Sequence, residues 1–256
     1  MHTLSVLHQL ARMNLLRALH YRADFLAAAL GYLLSLAALA FMMGLLLTTF
    51  RQVAGWGLYE YLFLFGFTAS ARALWDTFFG GVLRLFEEVR SGRFDRYLIR
   101  PSSPLFLLLA EGLGTDTLLE LALGLSLVYL ALGGLGAEPS WALFLALLAS
   151  GTLVLAALHL FVNALAFWAV DPNPLSFVLW RLDELVRYPL DVYPGWLQGL
   201  LTFAVPYAFV GYYPAAALLG KGGVGPAPAL LAGPGLFALA LGFWRVSLAR
   251  YQGTGS

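Results

Sequence analysis

An all-α integral membrane protein with six transmembrane helices is the fold class the sequence predicts, on three observations. Hydrophobic residues make up 61% of the 256 residues and charged residues only 11%, where a soluble domain carries about 25% charged residues. Several apolar runs exceed the roughly 18–20 residues that a helix needs to cross the hydrocarbon core. These runs are continuous rather than alternating, unlike the period-two pattern of a β-barrel strand. Cysteine is absent, which excludes disulfides, thiol nucleophiles and thiolate metal sites.

Residues 1–22 carry Leu4, Leu7, Leu10, Leu15 and Leu19 broadly on one side, with Arg12, Asn14, Arg17 and Arg22 as polar ground. This pattern predicts an N-terminal helix lying in the membrane interface. A plain extension of the first span is the alternative, and both put the N-terminus on the same side. The first span covers about 24–49, too long for the roughly 7–15-residue core of a signal peptide. The second, about 57–83, contains Arg72 and Asp76 at i,i+4, a spacing that predicts an ion pair turned into the bundle. Gly80 and Gly81 close it.

A polar stretch, 84–104, follows. It holds five of the fifteen basic residues, Arg84, Arg90, Arg93, Arg96 and Arg100, with Glu87, Glu88 and Asp95. Ser91 and Gly92 read as a helix stop, and Phe94 to Ile99 as a second short amphipathic helix ended by Pro101. Phe94, Tyr97 and Leu98 would form an apolar wedge in a charged rim, suited to docking in a cleft of another protein. A solvated loop is the plainer alternative.

The third span draws on 105–134, about 45 Å of helix against a core of about 30 Å. Its first turns are expected to project from the membrane and bring Glu111 near the interface. Asp116 and Glu120 share a face deeper in and lack a partner on their own helix, which suits a pathway or a gate or packing role. After a glycine-rich turn at 133–139, the fourth span (about 140–169) contains His159 and Asn163, read as packing residues. No second histidine stands at metal-ligand spacing.

Asp171-Pro172-Asn173-Pro174 breaks the helix. The stretch 175–213 then carries Arg181, Asp183, Glu184 and Arg187, spaced to neutralise locally as Asp183–Arg187 and Arg181–Glu184. Recurrent prolines leave two readings. One is a short fifth span (about 175–190) followed by a segment at 191–213 that dips back into the membrane. The other is a surface segment at 171–193 with the fifth span at 195–219. The sixth span covers about 229–248.

Basic residues set the orientation. Arg12, Arg17, Arg22, the five loop arginines, Arg245 and Arg250 fall on one side of six alternating spans, against Arg51 and Lys221 on the other. Ten against two puts both termini and the 84–104 loop in the cytoplasm.

No nucleotide site is recognisable. Gly220-Lys221-Gly222 lacks the Ser or Thr that follows the lysine of a phosphate-binding loop, and Ala215 stands where that loop needs glycine. No cofactor or nucleic-acid partner is expected. Any work must draw on an ion gradient or on another chain.

The segment GRFDRYLIRPSSPL resembles the cytoplasmic signature G-x-x-D-x-x-L-x-x-P of a bacterial family of ABC transporter permeases with the type-2 (exporter) membrane fold. Gly92, Asp95, Leu98 and Pro101 carry the match. HYRADF before the first span, the stretch 187–220 and the tail RYQGTGS resemble the same family in the same order. The resemblance implies an interfacial N-terminal helix, six spans, and re-entrant helices on the outer side before the last one. It also implies one half of a dimer with an identical or similar permease, in the bacterial cytoplasmic membrane. A separate ATPase subunit would bind the ATP and dock on 84–104. Gly92, Phe94, Asp95, Tyr97, Leu98, Arg100 and Pro101 would couple to it. The substrate would be a drug, a lipid or a glycan. Arg72, Asp76, Asp116, Glu120, Arg181, Asp183, Glu184 and Arg187 are the intramembrane candidates for a pathway. A proton-coupled secondary transporter using Asp116, Glu120 or Arg72 is the alternative.

Overall fold

Among the described residues the α-helices with stated bounds are, in chain order, α1 (Leu58–Phe79), α2 (Leu85–Arg90), α3 (Asp95–Leu98), α4 (Pro104–Glu111), α5 (Thr117–Leu135), α6 (Trp141–Ala164), α7 (Asn173–Leu185), α8 (Gly195–Gly199), α9 (Tyr212–Leu218) and α10 (Pro226–Ala249). They belong to a computed structural model that describes residues 54–112, 117–168, 171–221 and 225–251, with positions 30, 31, 34 and 52 besides. The expected interfacial helix, nearly all of the first span, Asp116 and the last residues of the tail lie outside the described residues. The fold is all-α, with no strand among the described residues.

Among the described residues, three helical stretches are long and apolar enough to cross a membrane, Thr117–Leu135, Trp141–Trp168 (α6 with a tight turn added) and Pro226–Ala249, or four if the bent pair Gly195–Ala204 and Tyr207–Leu218 is one span. The 22 residues of α1 match them in length at about 33 Å, although Glu60, Arg72 and Asp76 lower its hydropathy. Helix α1 packs along α5, and α6 along α10, with α1 also against α6.

Lipid tails are as apolar as leucine, so small residues and hydrogen bonds hold such helices together. At the α1/α5 crossing, a Cβ on Gly66 would stand 2.7 Å from the carbonyl oxygen of Gly124, so the two backbones touch. At the α6/α10 crossing the device is Ser150. Pro234 stands inside α10 and supplies no N–H to the carbonyl of Leu230 four residues back. The Ser150 hydroxyl lies 3.2 Å from that carbonyl and 2.5 Å from the carbonyl of Ala229, and accepts from Gly233 N at 3.1 Å. One side chain from a neighbouring helix thus serves the backbone groups that the proline disturbs.

The two ends of the bundle differ. At the loop end, Phe94, Tyr97, Leu108, Phe167 and Trp244 form a second apolar core, separate from the main one around Phe63, Phe67 and Phe144. At the far end, Trp56 Nε1 and the Tyr212 hydroxyl both donate to Asp191 Oδ2, at 2.9 and 2.8 Å. Lys221 there bonds Glu60 at 2.8 Å and the carbonyl of Gly55 at 2.6 Å.

Three stretches bear on the sequence expectations. Helix α4 ends at Glu111, a side chain on Gly112 would strike the backbone of Gly81, and the membrane helix α5 is described from Thr117; residues 113–116 of the expected third span lie outside the described residues. The helix expected at 175–190 ends at Leu185. Its 13 residues cover about 20 Å, and irregular chain continues to a short turn at Leu190–Val192. This segment still runs the length of the bundle. It starts just after Trp168, which bonds Ser247 at the loop end, and reaches Asp191 at the far end. The proline-rich stretch forms two helical pieces, Gly195–Ala204 and Tyr207–Leu218, bent by 77° at the break that holds Pro206. Its bend reaches down to α7, where the Tyr207 hydroxyl donates to the carbonyl of Leu179 at 3.0 Å.

Candidate functional site

The polar loop is built by one glycine and two carboxylates. Helix α2 ends at Arg90, and Gly92 takes φ of +71°, which reverses the chain at no steric cost. The reversal lets Phe94 N donate to the carbonyl of Glu88 at 2.9 Å and lays the Phe94 ring inward. Phe94 meets Phe167 at 5.0 Å and Tyr251 at 5.3 Å between centroids, both edge-on, the favoured aromatic geometry. The Tyr251 hydroxyl donates to Asp95 Oδ1 at 2.9 Å.

Glu111, at the end of α4, holds the other side. It accepts from the Tyr97 hydroxyl at 2.7 Å and from Arg96 at 3.2 Å, and pairs with Arg100 at 3.4 Å. Burial, reinforced by the bond to Glu111, raises the Tyr97 phenol above its ordinary pKa and keeps it a donor. Glu88 lies 3.4 Å from Arg93 and 3.2 Å from Arg96, the latter in ion-pair rather than hydrogen-bond geometry.

The expected apolar wedge of Phe94, Tyr97 and Leu98 is therefore corrected. Phe94 and Tyr97 are 0% and 1% exposed, buried in the chain's own core, while Leu98 is 45% and Ile99 85% exposed. Positions 94, 97 and 98 would share one face on a long helix, but α3 is a single turn ending at Leu98. Leu98 and Ile99 consequently swing outward. The face left open consists of Leu98, Ile99, Arg100 and Pro101. Sequence reasoning assigned no role to Ile99 or Tyr251. A consecutive apolar pair following two aromatics three apart was the available signal for Ile99. Nothing local marked Tyr251 as a partner of Asp95.

The intramembrane charges pair differently from the sequence expectation too. Arg72 forms its ion pair with Asp183 on α7, not with Asp76, and Asp183 does not pair with Arg187. The reason is burial. Asp183 is the buried carboxylate of the group and Asp76 is only half-buried, so Asp183 has the larger desolvation cost to offset. Arg181 and Glu184 do pair, at 3.2 Å. Asp76 and Glu120 interact with Arg72 electrostatically without an ion pair among the described residues.

Four of the candidates come together. Arg72, Arg181, Glu184 and Arg187 line one cleft of about 410 Å³ with Asn173, Ser176, Phe177 and Trp180. Arg72 lies over the Trp180 ring at 5.5 Å and Arg181 over Phe177 at 5.0 Å. His159 takes a packing position, stacked on Trp75 at 4.2 Å. Among the described residues, no cluster of three His, Asp or Glu side chains could hold a metal ion.

A protein-family model described as ABC-2 family transporter protein matches residues 33–255. No curated protein and no solved structure matches the chain.

Proposed function

The chain belongs to the ABC-2 family of transporter proteins, and from that premise we propose that it is the membrane-spanning permease subunit of an ATP-driven exporter, coupled through residues 84–104 to a separate ATPase. Family membership makes it the permease component of an ABC transporter, a membrane protein that works with an ABC ATPase rather than hydrolysing ATP itself. The finer reading has six spans, both termini and the 84–104 loop in the cytoplasm of a bacterial inner membrane, and a second permease completing the pathway. The fifth crossing is then the segment 173–192, and the bent pair 195–218 is re-entrant from the outer face.

The observation that carries the coupling assignment is the build of the loop. Phe94, Asp95 and Tyr97 are bolted to the bundle while Leu98 and Ile99 stand out, 45% and 85% exposed, next to Arg100. An apolar knob with a charged rim, fixed from behind, can transmit a push. A loose loop would absorb it. ATP-driven closure of the partner around Leu98–Pro101 is carried by Asp95 and Phe94 into the ends of α6 and α10, and by Glu111 into α4.

The test is co-expression of the permease with its ATPase subunit. Ile99→Asp is expected to abolish co-purification and ATPase stimulation while the permease still inserts and migrates as a folded species. Normal association of Ile99→Asp and Leu98→Asp would overturn the assignment.

A further inference from the structure

The lining of the α7 cleft falls on one stripe. Asn173, Ser176, Phe177, Trp180, Arg181, Glu184 and Arg187 recur at spacings of one, three or four, so they form one face of α7 and its extension. The positions turned inward are Leu179, Asp183 and Val186. On the reading that makes 173–192 a crossing, Arg181 and Glu184 stand more than half exposed at membrane depth, where facing hydrocarbon carries a large cost. That face needs a polar occupant.

Hydrogen-bonding capacity says which kind. Three guanidinium groups line the cleft against one carboxylate. Arg72 is neutralised by Asp183 and Arg181 by Glu184, and Arg187 has no carboxylate within ion-pair distance among the described residues. Each guanidinium carries five N–H donors and no acceptor, so the spare capacity of the cleft is overwhelmingly donors. Its complement is an oxyanion: a phosphate, sulfate or carboxylate. Asp76 and Glu120, which also act on Arg72, do not line the cleft.

The cleft has a polar floor. Arg72 and Trp180 are shared with a hollow of about 10 Å³, the room of one water, which Trp75, Leu155, His159 and Asp183 complete. Trp75 and His159 are buried, and Trp75 Nε1 and His159 Nδ1 have no hydrogen-bond partner among the described residues. Phe177 stands exposed on the stripe and Val178 stands exposed beside it, three residues before Arg181. They offer apolar surface next to the donors.

Resting on the permease reading above, we propose that the α7 cleft binds an anionic amphiphile, its oxyanion head held by Arg72, Arg181 and Arg187 and its apolar tail along Phe177 and Val178. The substrate class of the transporter is then an acidic lipid-like molecule. A soluble anion would leave the apolar half of the surface uncovered.

The experiment uses the full chain in nanodiscs without any ATPase, so its failure is separable from failure of the coupling assignment. Trp180 fluorescence, taken as wild type minus Trp180→Phe, is quenched by lipids brominated in the acyl chain. Brominated phosphatidylglycerol is expected to quench Trp180 about twice as strongly as brominated phosphatidylcholine at equal mole fraction, as a charge-assisted site requires. The preference should vanish in the Arg181→Gln/Arg187→Gln double variant. Should Trp180→Phe fail to fold, native mass spectrometry of wild type given equal amounts of both lipids decides, with retention of phosphatidylglycerol expected. Equal quenching or equal retention overturns the proposal. So does inorganic phosphate altering Trp180 fluorescence in phosphatidylcholine nanodiscs, since that assigns the cleft to a soluble anion.

Discussion

The Tyr251 hydroxyl donates to Asp95 Oδ1 across 156 positions of sequence, at 2.9 Å. The bond joins the loop between the second and third spans to the residue two places beyond the last helix. Phe94 packs edge-on against the same tyrosine ring, so position 251 fixes the loop by packing and by hydrogen bonding at once.

Separating those two contributions gives the first prediction. Tyr251→Phe keeps the ring and removes the bond. It is expected to lower stability by about 1 kcal/mol while stimulation of the partner ATPase falls several-fold. Asp95→Asn retains an acceptor and should keep most of the coupling, and Asp95→Ala should lose it. Thermal unfolding in detergent and ATPase assays of the complex report the two effects.

Burial divides the loop into residues that hold and residues that touch. Phe94→Ala opens a cavity in a fully buried site and should cost about 3–5 kcal/mol, visible as poor expression and early unfolding. Ile99→Ala, at the exposed tip, should leave the unfolding midpoint unchanged and weaken only association with the ATPase. Equal destabilisation by both would contradict the burial pattern.

The Arg72–Asp183 pair ties α1 to α7. Arg72→Met strands a buried carboxylate and is expected to cost about 3 kcal/mol, the low end of the range for breaking a buried pair because Arg72 keeps some exposure. The Arg72→Met/Asp183→Leu double variant removes both charges and should recover most of the loss. Chemical unfolding of the four members of that cycle measures the pair directly.

Ser150 predicts an unusual rescue. Ser150→Ala leaves the Leu230 carbonyl without its hydroxyl and should destabilise by about 1–3 kcal/mol. Adding Pro234→Ala restores an N–H to that carbonyl, so the double variant should be more stable than Ser150→Ala alone.

Much of this fold was legible because bilayer length is a coarse, local signal. The runs that became α5, α6 and α10 are long, apolar and free of charge at their centres, and no tertiary information was needed to find them. The stop at Gly92 and the break at Pro172 were legible for the same reason, since steric limits act within a few residues. Pairings were not. Arg72 and Asp76 have the right spacing, yet Arg72 takes the carboxylate more in need of a counter-charge, which sits 111 residues away. The end of α4 at Glu111 was hidden because the contact of Gly112 with Gly81 is long-range. At the loop, composition marked the polar stretch but assigned Phe94 and Tyr97 to the exposed side, where both are buried. A one-turn helix has too few residues for periodicity to assign its faces.

The seat of Phe94 also sets an order in time. Its walls come from Phe167, Trp244 and Tyr251, all made after the loop itself. At roughly 5–20 residues per second, chain elongation from Asp95 to Tyr251 occupies about 8–30 s. During that interval the loop has left the ribosome but has no complete seat. On the coupling proposed above, a nascent permease has no finished knob to offer an ATPase, and recruitment of the motor would wait on insertion of the last helix.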